Sequence, residues 1–177
     1  EMGVFVGPPL WGTFEQFGIP KERTDEAVRI FRSRYIPIGK FENKPYDGIR
    51  ELLEALGEQG WTRYVATSKP ETTAREILDH FDLSRYFACI CGANIEKNLY
   101  EKDQVIAYLL GQTQAGDLKI MVGDTKYDVI GAKAHGIPTI GVSWGYGDVE
   151  EMRAAGAAAI VDRPEDLLAQ LNQMANQ

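Results

Sequence analysis

One pattern constrains this chain more than any other, an alternation of short apolar runs with helix-like segments that begins near residue 43. The runs "WTRYVAT", "YFACICG", "LKIMVGD", "IPTIGV" and "AAAIV" are β-rich, and between them lie "KPETTAREILDHFDL", "EKDQVIAYLLGQT", "KYDVIGAKAHG" and "VEEMRAAG". The helix "YDGIRELLEALGEQG" opens the series, with Asp47 as a candidate N-cap and Gly60 as a stop signal, and "PEDLLAQLNQMAN" closes it. Pro70 falls in the first turn of its helix and Gly136 ends another. Strands alternating with helices of about ten residues mean βαβ units and a parallel sheet. Near-continuous apolar strands mean that helices cover both faces of that sheet. Residues 43–177 therefore read as a doubly wound α/β domain with a parallel sheet.

Residues 1–42 follow a different grammar and read as helical. An apolar loop containing Pro8 and Pro9 leads into a helix with Leu10, Phe14 and Phe17 near helical spacing. A second helix sets Ala27, Ile30, Phe31 and Tyr35 on one side and its basic residues on the other.

The charge balance narrows the partners. Net charge is −7 with no basic cluster, which argues against a nucleic-acid surface, since phosphate backbones demand concentrated positive charge. No apolar run approaches the roughly 20 residues of a membrane helix. Cys89 and Cys91 are the only cysteines. Two apart on a strand, they are poorly placed for a mutual disulfide and too few for a metal site. They read as small buried side chains of a protein in a reducing cytoplasm. The sequence begins at Glu1 and has no signal-peptide pattern, so its natural start is expected upstream.

Ligands of doubly wound sheets bind at the carboxyl ends of the strands. Four polar features fall there: Thr67 and Ser68 after "RYVA", Lys102 at the start of a helix, Asp124 and Asp128 around "VGDTKYD", and the loop "SWGYG". Gly123 lets the chain turn as its strand ends, and Asp124 projects at the rim beside a helix N-terminus. Asp128 follows one helical turn later and reaches the same side. Two adjacent carboxylates repel, and a shared hard cation such as Mg²⁺ is their natural compensation. The bland alternative makes Asp124 an N-cap and Asp128 a solvated helix residue. A hydroxyl at Thr67 and an ammonium at Lys102 suit phosphate oxygens and the charge of a transferring phosphoryl group. Alternatively, Thr67 caps the next helix and Lys102 is a surface lysine. His80 and His135 close helices, and Trp11, Trp61 and Trp144 read as packing residues.

These motifs in this order resemble the haloacid dehalogenase superfamily, and within it the phosphoglycolate phosphatase-like branch. The matching text is "FVGPPLWGTF", "FRSRY", "YDGIRELLEALGEQG", "VATSKP", "EKDQVIAYLL", "VGDTKYDVIGAKAHGIPTIGVSWGYG" and "AGAAAIVDRPEDLL", nearly the whole chain. The resemblance implies a Rossmann-like core with a partial helical cap at residues 1–42. It implies that Thr67, with Ser68 as its neighbour, and Lys102 bind phosphate, with Lys97 the fallback lysine. It implies that Asp124 ligates Mg²⁺ and that Asp128 supports the metal site. The implied activity is phosphatase action on small phosphorylated metabolites through an aspartyl-phosphate, by a cytoplasmic monomer or homodimer. Phosphoglycolate, nucleoside 5′-monophosphates and pyrophosphate are all open as substrates, and Lys69, Arg34 and Tyr146 are candidate rim residues.

One part of the family pattern is missing. The motif D-x-D-G-T, whose first aspartate is the nucleophile, has no counterpart, and no D-x-D occurs in the 177 residues. The family places it on a central strand before the cap, so both strand and nucleophile are expected upstream of Glu1, or from another chain. The gap between the strands ending at Thr67 and Asp124 is expected to measure about 10 Å, twice the usual inter-strand spacing. The alternative is a catalytically inactive, truncated phosphate- or metal-binding or interaction module. Dehalogenation is a lesser option, because it does not need the Mg²⁺ site.

Overall fold

A computed structural model describes residues 10–94, 96–114, 116 and 118–176. The chain divides into two compact units, Glu1–Lys44 and Pro45–Gln177. The boundary read from the sequence, after residue 42, falls just before this division. The loop with Pro8 and Pro9 lies outside the described residues.

The first unit carries helices α1 (Leu10–Gln16) and α2 (Thr24–Tyr35). Phe14 meets Phe31 edge-on at 6.3 Å, and Phe31 stacks on Tyr35 at 5.2 Å. Val28 is buried whereas Ile30 is 57% exposed, so the inward stripe of α2 is rotated from the one read in the sequence. Trp11 is exposed, with its indole N–H donated to Asp25 and Arg32 over its ring.

The second unit runs α3 (Ile49–Glu58), β1 (Tyr64–Pro70), α4 (Glu71–His80), β2 (Cys89–Ala93), α5 (Lys102–Gln112), β3 (Met121–Gly123), α6 (Lys126–Lys133), β4 (Thr139–Val142), α7 (Val149–Ala155), β5 (Ala159–Val161) and α8 (Pro164–Ala175). Every strand pairing is parallel. Helix α3 does not start from an Asp47 cap: its N-cap is Gly48 at φ +82°, a left-handed turn that a side chain would strain.

Helices cover both faces of the sheet, because strand residues alternate in direction. On β4, Ile140 and Val142 pack in one core with Leu52 and Leu56 of α3, Val161 of β5, and Leu167 and Leu171 of α8. Between them, Gly141 faces the opposite way, where a Cβ would lie 3.0 Å from the Met152 sulfur of α7. Ile140 is fully buried, and a side chain of its size contributes about 1.5–3 kcal/mol by leaving water. A second core joins Cys91 of β2 with Val105 and Leu109 of α5. Trp61 and Trp144 pack against the first core.

The strands do not form one continuous ladder. β1 pairs with β2, and β3, β4 and β5 form a separate sheet in that order. Between β1 and β3 lies a cleft of about 810 Å³. Tyr64, Val65 and Ala66 flank it on one side and Met121 and Val122 on the other, with Leu52, Leu167, Ile106 and Leu109 contributing from helices on both faces. Its walls are thus two strands and its floor and roof are apolar helix faces, the surroundings of a buried parallel strand.

Candidate active site

The site is built at the end of β3 and at the point of β1 where its regular pairing with β2 breaks, after Thr67. α6 begins with a reciprocal cap at Thr125. The Thr125 hydroxyl donates to Asp128 Oδ2 at 2.9 Å and the Thr125 N–H donates to the same oxygen at 3.0 Å. The second of these is one half of a capping box, whose other half is the Asp128 backbone N–H donating to the Thr125 hydroxyl oxygen. Asp128 is therefore turned back toward the helix start and buried, not solvated. Gly123 makes this possible, since a Cβ there would lie 2.3 Å from that of Asp128.

Asp128 Oδ1 faces the other way, onto α5. Lys102 Nζ lies 2.8 Å from it, and the two side chains are only 13% and 8% exposed. The same ammonium donates to the Ala66 carbonyl at 2.9 Å. Lys102 thus bridges α6 to β1 at the residue before Thr67; the strand expected to end at Thr67 in fact runs on to Pro70, with its regular pairing to β2 broken after Thr67. An ammonium has three donors, so one remains beyond these two contacts. Lys97 is committed elsewhere, donating to the Tyr108 hydroxyl at 2.8 Å.

Asp124 sits at the tip of β3, ahead of the Thr125 cap. Its Oδ2 accepts the Tyr146 backbone N–H at 2.9 Å, and no described residue donates to Oδ1. The loop carrying Tyr146 closes tightly over it. A Cβ on Gly145 would lie 2.4 Å from Asp124 Oδ2, and one on Gly147 would lie 1.9 Å from the Asp124 carbonyl oxygen. Tyr46 lies in the same field: burial, then the negative neighbours Tyr146 and Asp124, push its hydroxyl pKa up.

Thr67 does not cap α4, whose N-cap is Pro70. Its hydroxyl instead accepts the Lys69 N–H at 3.1 Å, while Ser68 is exposed beside it. The structure therefore joins Thr67, Lys102, Asp128 and Asp124 through a chain of direct contacts and adjacent residues, across more than 60 positions of sequence. Arg34, a candidate rim residue, is bound by two hydrogen bonds to Glu42 within the first unit. Tyr146 is 62% exposed. His80 packs edge-on to Phe81, and His135 Nε2 hydrogen-bonds the Asp103 carbonyl at 2.9 Å.

The two carboxylates are not equivalent. Asp124 offers a hard oxygen free of described partners, which fits a Mg²⁺ completed by waters and a phosphate. Asp128 has both oxygens engaged. Among the described residues there is no group of three or more acidic, histidine or cysteine side chains that would hold a metal unaided.

Sequence reasoning passed over Thr125, the Tyr146 backbone, the Ala66 carbonyl and the loop glycines. A signal existed for the first: Thr125–x–x–Asp128 has the spacing of a capping box, which takes the acidic residue for the helix start. Backbone partners such as Ala66 carry no side-chain signature.

A family model for haloacid dehalogenase-like hydrolases matches residues 1–142. A 5′-nucleotidase of Pseudomonas aeruginosa is 43% identical over 152 residues, covering 85% of this chain and 69% of its own length. A tyrosine-protein kinase, PtkA, of Mycobacterium tuberculosis is 42% identical over 143 residues, 80% of this chain and 49% of its own. A phosphoglycolate phosphatase of Agrobacterium fabrum is 34% identical over 134 residues, 74% of this chain and 57% of its own. The crystal structure of a predicted phosphatase from Clostridium acetobutylicum superposes with a TM-score of 0.87 at 39% identity, covering 99% of this chain and 81% of that one. The chain thus spans roughly half to two thirds of the three curated relatives. Among the described residues, no helix is long and apolar enough to cross a membrane.

Proposed function

The chain belongs to the haloacid dehalogenase-like hydrolases, and from that premise we propose that it carries the phosphate- and metal-binding side of a Mg²⁺-dependent phosphatase acting on small phosphorylated metabolites. One observation carries this reading. Lys102 is held by two acceptors, Asp128 Oδ1 and the carbonyl of Ala66, the residue before Thr67, and an ammonium carries three donors.

In this reading the remaining Lys102 N–H and the Thr67 hydroxyl bind non-bridging phosphate oxygens, and Ser68 flanks them. Asp124 Oδ1 is the ligand for Mg²⁺, which when bound would neutralise phosphate charge and orient the group. Asp128 holds Lys102 in place and does not ligate the cation directly. The nucleophilic carboxylate lies on a strand seated in the cleft between β1 and β3, upstream of Glu1. It attacks phosphorus as the ester P–O bond breaks, and the leaving oxygen takes a proton from the second carboxylate of the same D-x-D motif and departs as the alcohol. Water then hydrolyses the acyl-phosphate, releasing orthophosphate and restoring the carboxylate. The identities of the relatives favour nucleoside 5′-monophosphates and phosphoglycolate as the first substrates to try.

The test is orthophosphate release by the full-length protein with Mg²⁺ and these substrates. Lys102→Ala is expected to lower turnover about 10²–10³-fold, the usual worth of one electrostatic donor. A silent Lys102→Ala beside a crippled Lys97→Ala overturns the lysine assignment. The absence of any D-x-D favours a second reading for the 177 residues taken alone, a module that binds phosphate or metal without turnover.

A further inference from the structure

We infer that Gly131 is a positioning residue for Lys102, leaving open the lane through which the lysine stem reaches its two acceptors. Gly131 lies inside α6, where glycine is among the poorest helix formers. The packing supplies a reason for it. A Cβ at this position would lie 2.6 Å from Lys102 Cγ, 3.0 Å from Lys102 Cβ and 3.2 Å from the Asp103 nitrogen.

Asp128 and Gly131 are three apart and share one face of the helix. That face therefore does two things to Lys102: Gly131 passes its aliphatic stem and Asp128 receives its ammonium. A methyl group at 131 has two ways out. The helices can separate, or the lysine can swing. Separation is opposed at the start of α5, where the Asp103 carbonyl is hydrogen-bonded to His135 just beyond α6. The first turn of α5 is fixed further by the Glu101–Gln104 capping box. The displacement therefore falls on Lys102, which loses Ala66 O, Asp128 Oδ1 or both.

The structural part of this inference needs only the Lys102 contacts, while its effect on turnover rests on the phosphatase reading above. The two are tested separately in the full-length protein. The first readout is competitive acetylation of lysines by sulfo-N-hydroxysuccinimidyl acetate, quantified by mass spectrometry. In the wild type Lys102 is expected to react far more slowly than exposed Lys21. Gly131→Ala is expected to raise the Lys102 rate severalfold, and Gly111→Ala, whose added Cβ meets nothing within 4 Å, is expected to leave it unchanged. An unchanged Lys102 rate in a folded Gly131→Ala protein overturns the inference. The second readout is turnover. If Gly131 acts through Lys102, the Gly131→Ala/Lys102→Ala double variant is no slower than Lys102→Ala alone, whereas multiplicative losses overturn the inference. Should Gly131→Ala fail to fold, the double variant is expected to be no less stable than Lys102→Ala alone, and a further loss of stability refutes the role. A wild type without phosphatase activity sinks the proposed function but leaves the acetylation result standing.

Discussion

Lys102 and Asp128 form a buried ion pair at 2.8 Å, and each is held by a further partner: the Ala66 carbonyl for the lysine, the Thr125 cap for the aspartate. The pair joins two helices and a strand. Removing one member leaves the other charged and desolvated, which typically costs about 3–5 kcal/mol. Lys102→Ala is expected to destabilise the protein by an amount of this order, read by urea denaturation. Lys102→Met/Asp128→Leu should cost less than the sum of its single changes. Additive losses would show that the two side chains do not interact.

Gly145→Ala tests the hold on Asp124. Its Cβ would lie 2.2 Å from Asp124 Cβ and 2.4 Å from Asp124 Oδ2, so the loop must move off Asp124 and the carboxylate loses the Tyr146 N–H. Under the proposed function, the apparent Mg²⁺ requirement of the full-length protein is expected to rise severalfold, with a fall in melting temperature from the displaced loop, whereas Gly111→Ala, whose added Cβ meets nothing within 4 Å, is expected to leave the Mg²⁺ requirement unchanged. A metal titration of activity beside a melting curve separates these outcomes. An unchanged Mg²⁺ requirement would mean that the loop does not aim Asp124.

Cys91 gives a pH prediction. Burial, and then its contact with Cys89, push its thiol up from 9.0 to about 12. The folded protein therefore keeps the proton that an unfolded chain releases near pH 9. The associated stability is fully present below pH 9 and is lost as pH rises from 9 toward 12. Cys91 should also resist iodoacetamide at pH 8 until denaturant is added, because the thiolate is the reactive form. Alkylation of native Cys91 as fast as of the unfolded chain would contradict the burial. The neighbouring Cys89 sulfur lies 3.6 Å away and provides an internal comparison.

The 177 residues alone are expected to show no turnover of p-nitrophenyl phosphate with Mg²⁺, because they contain no D-x-D. Turnover by the 177 residues would overturn the assignment of the attacked carboxylate to a D-x-D motif.

The fold was legible in the sequence because every second-unit strand and helix arose from periodicity or a terminator, as with α6 between Gly123 and Gly136. The inward stripe of α2 was misread because Ile30, although apolar and in phase with Phe31, is turned to solvent while Val28 is buried. The Asp47 cap failed because the chain enters α3 through a left-handed Gly48, which supplies no side-chain cap. Thr67, Lys102, Asp124 and Asp128 were legible as polar residues around the strand–helix junctions, although β1 runs past Thr67 to Pro70, whereas their division of labour was not. Spacing brings Asp128 onto the side of Asp124, but it cannot show that a lysine from α5 arrives to claim one of its oxygens. That depends on how closely two helices approach, which Gly131 permits and no local pattern encodes.

The Thr125–Asp128 cap has a consequence for variant libraries. One carboxylate both closes a helix end and anchors the lysine, so a substitution at 128 reduces the amount of protein and its chemistry together. A survey scoring abundance would flag position 128 and pass over position 124, although only the latter isolates the reaction. Under the proposed function, genotypes altered at 124 are expected to accumulate intact but silent protein, whereas those altered at 128 are expected to be cleared by quality control before any turnover can be scored.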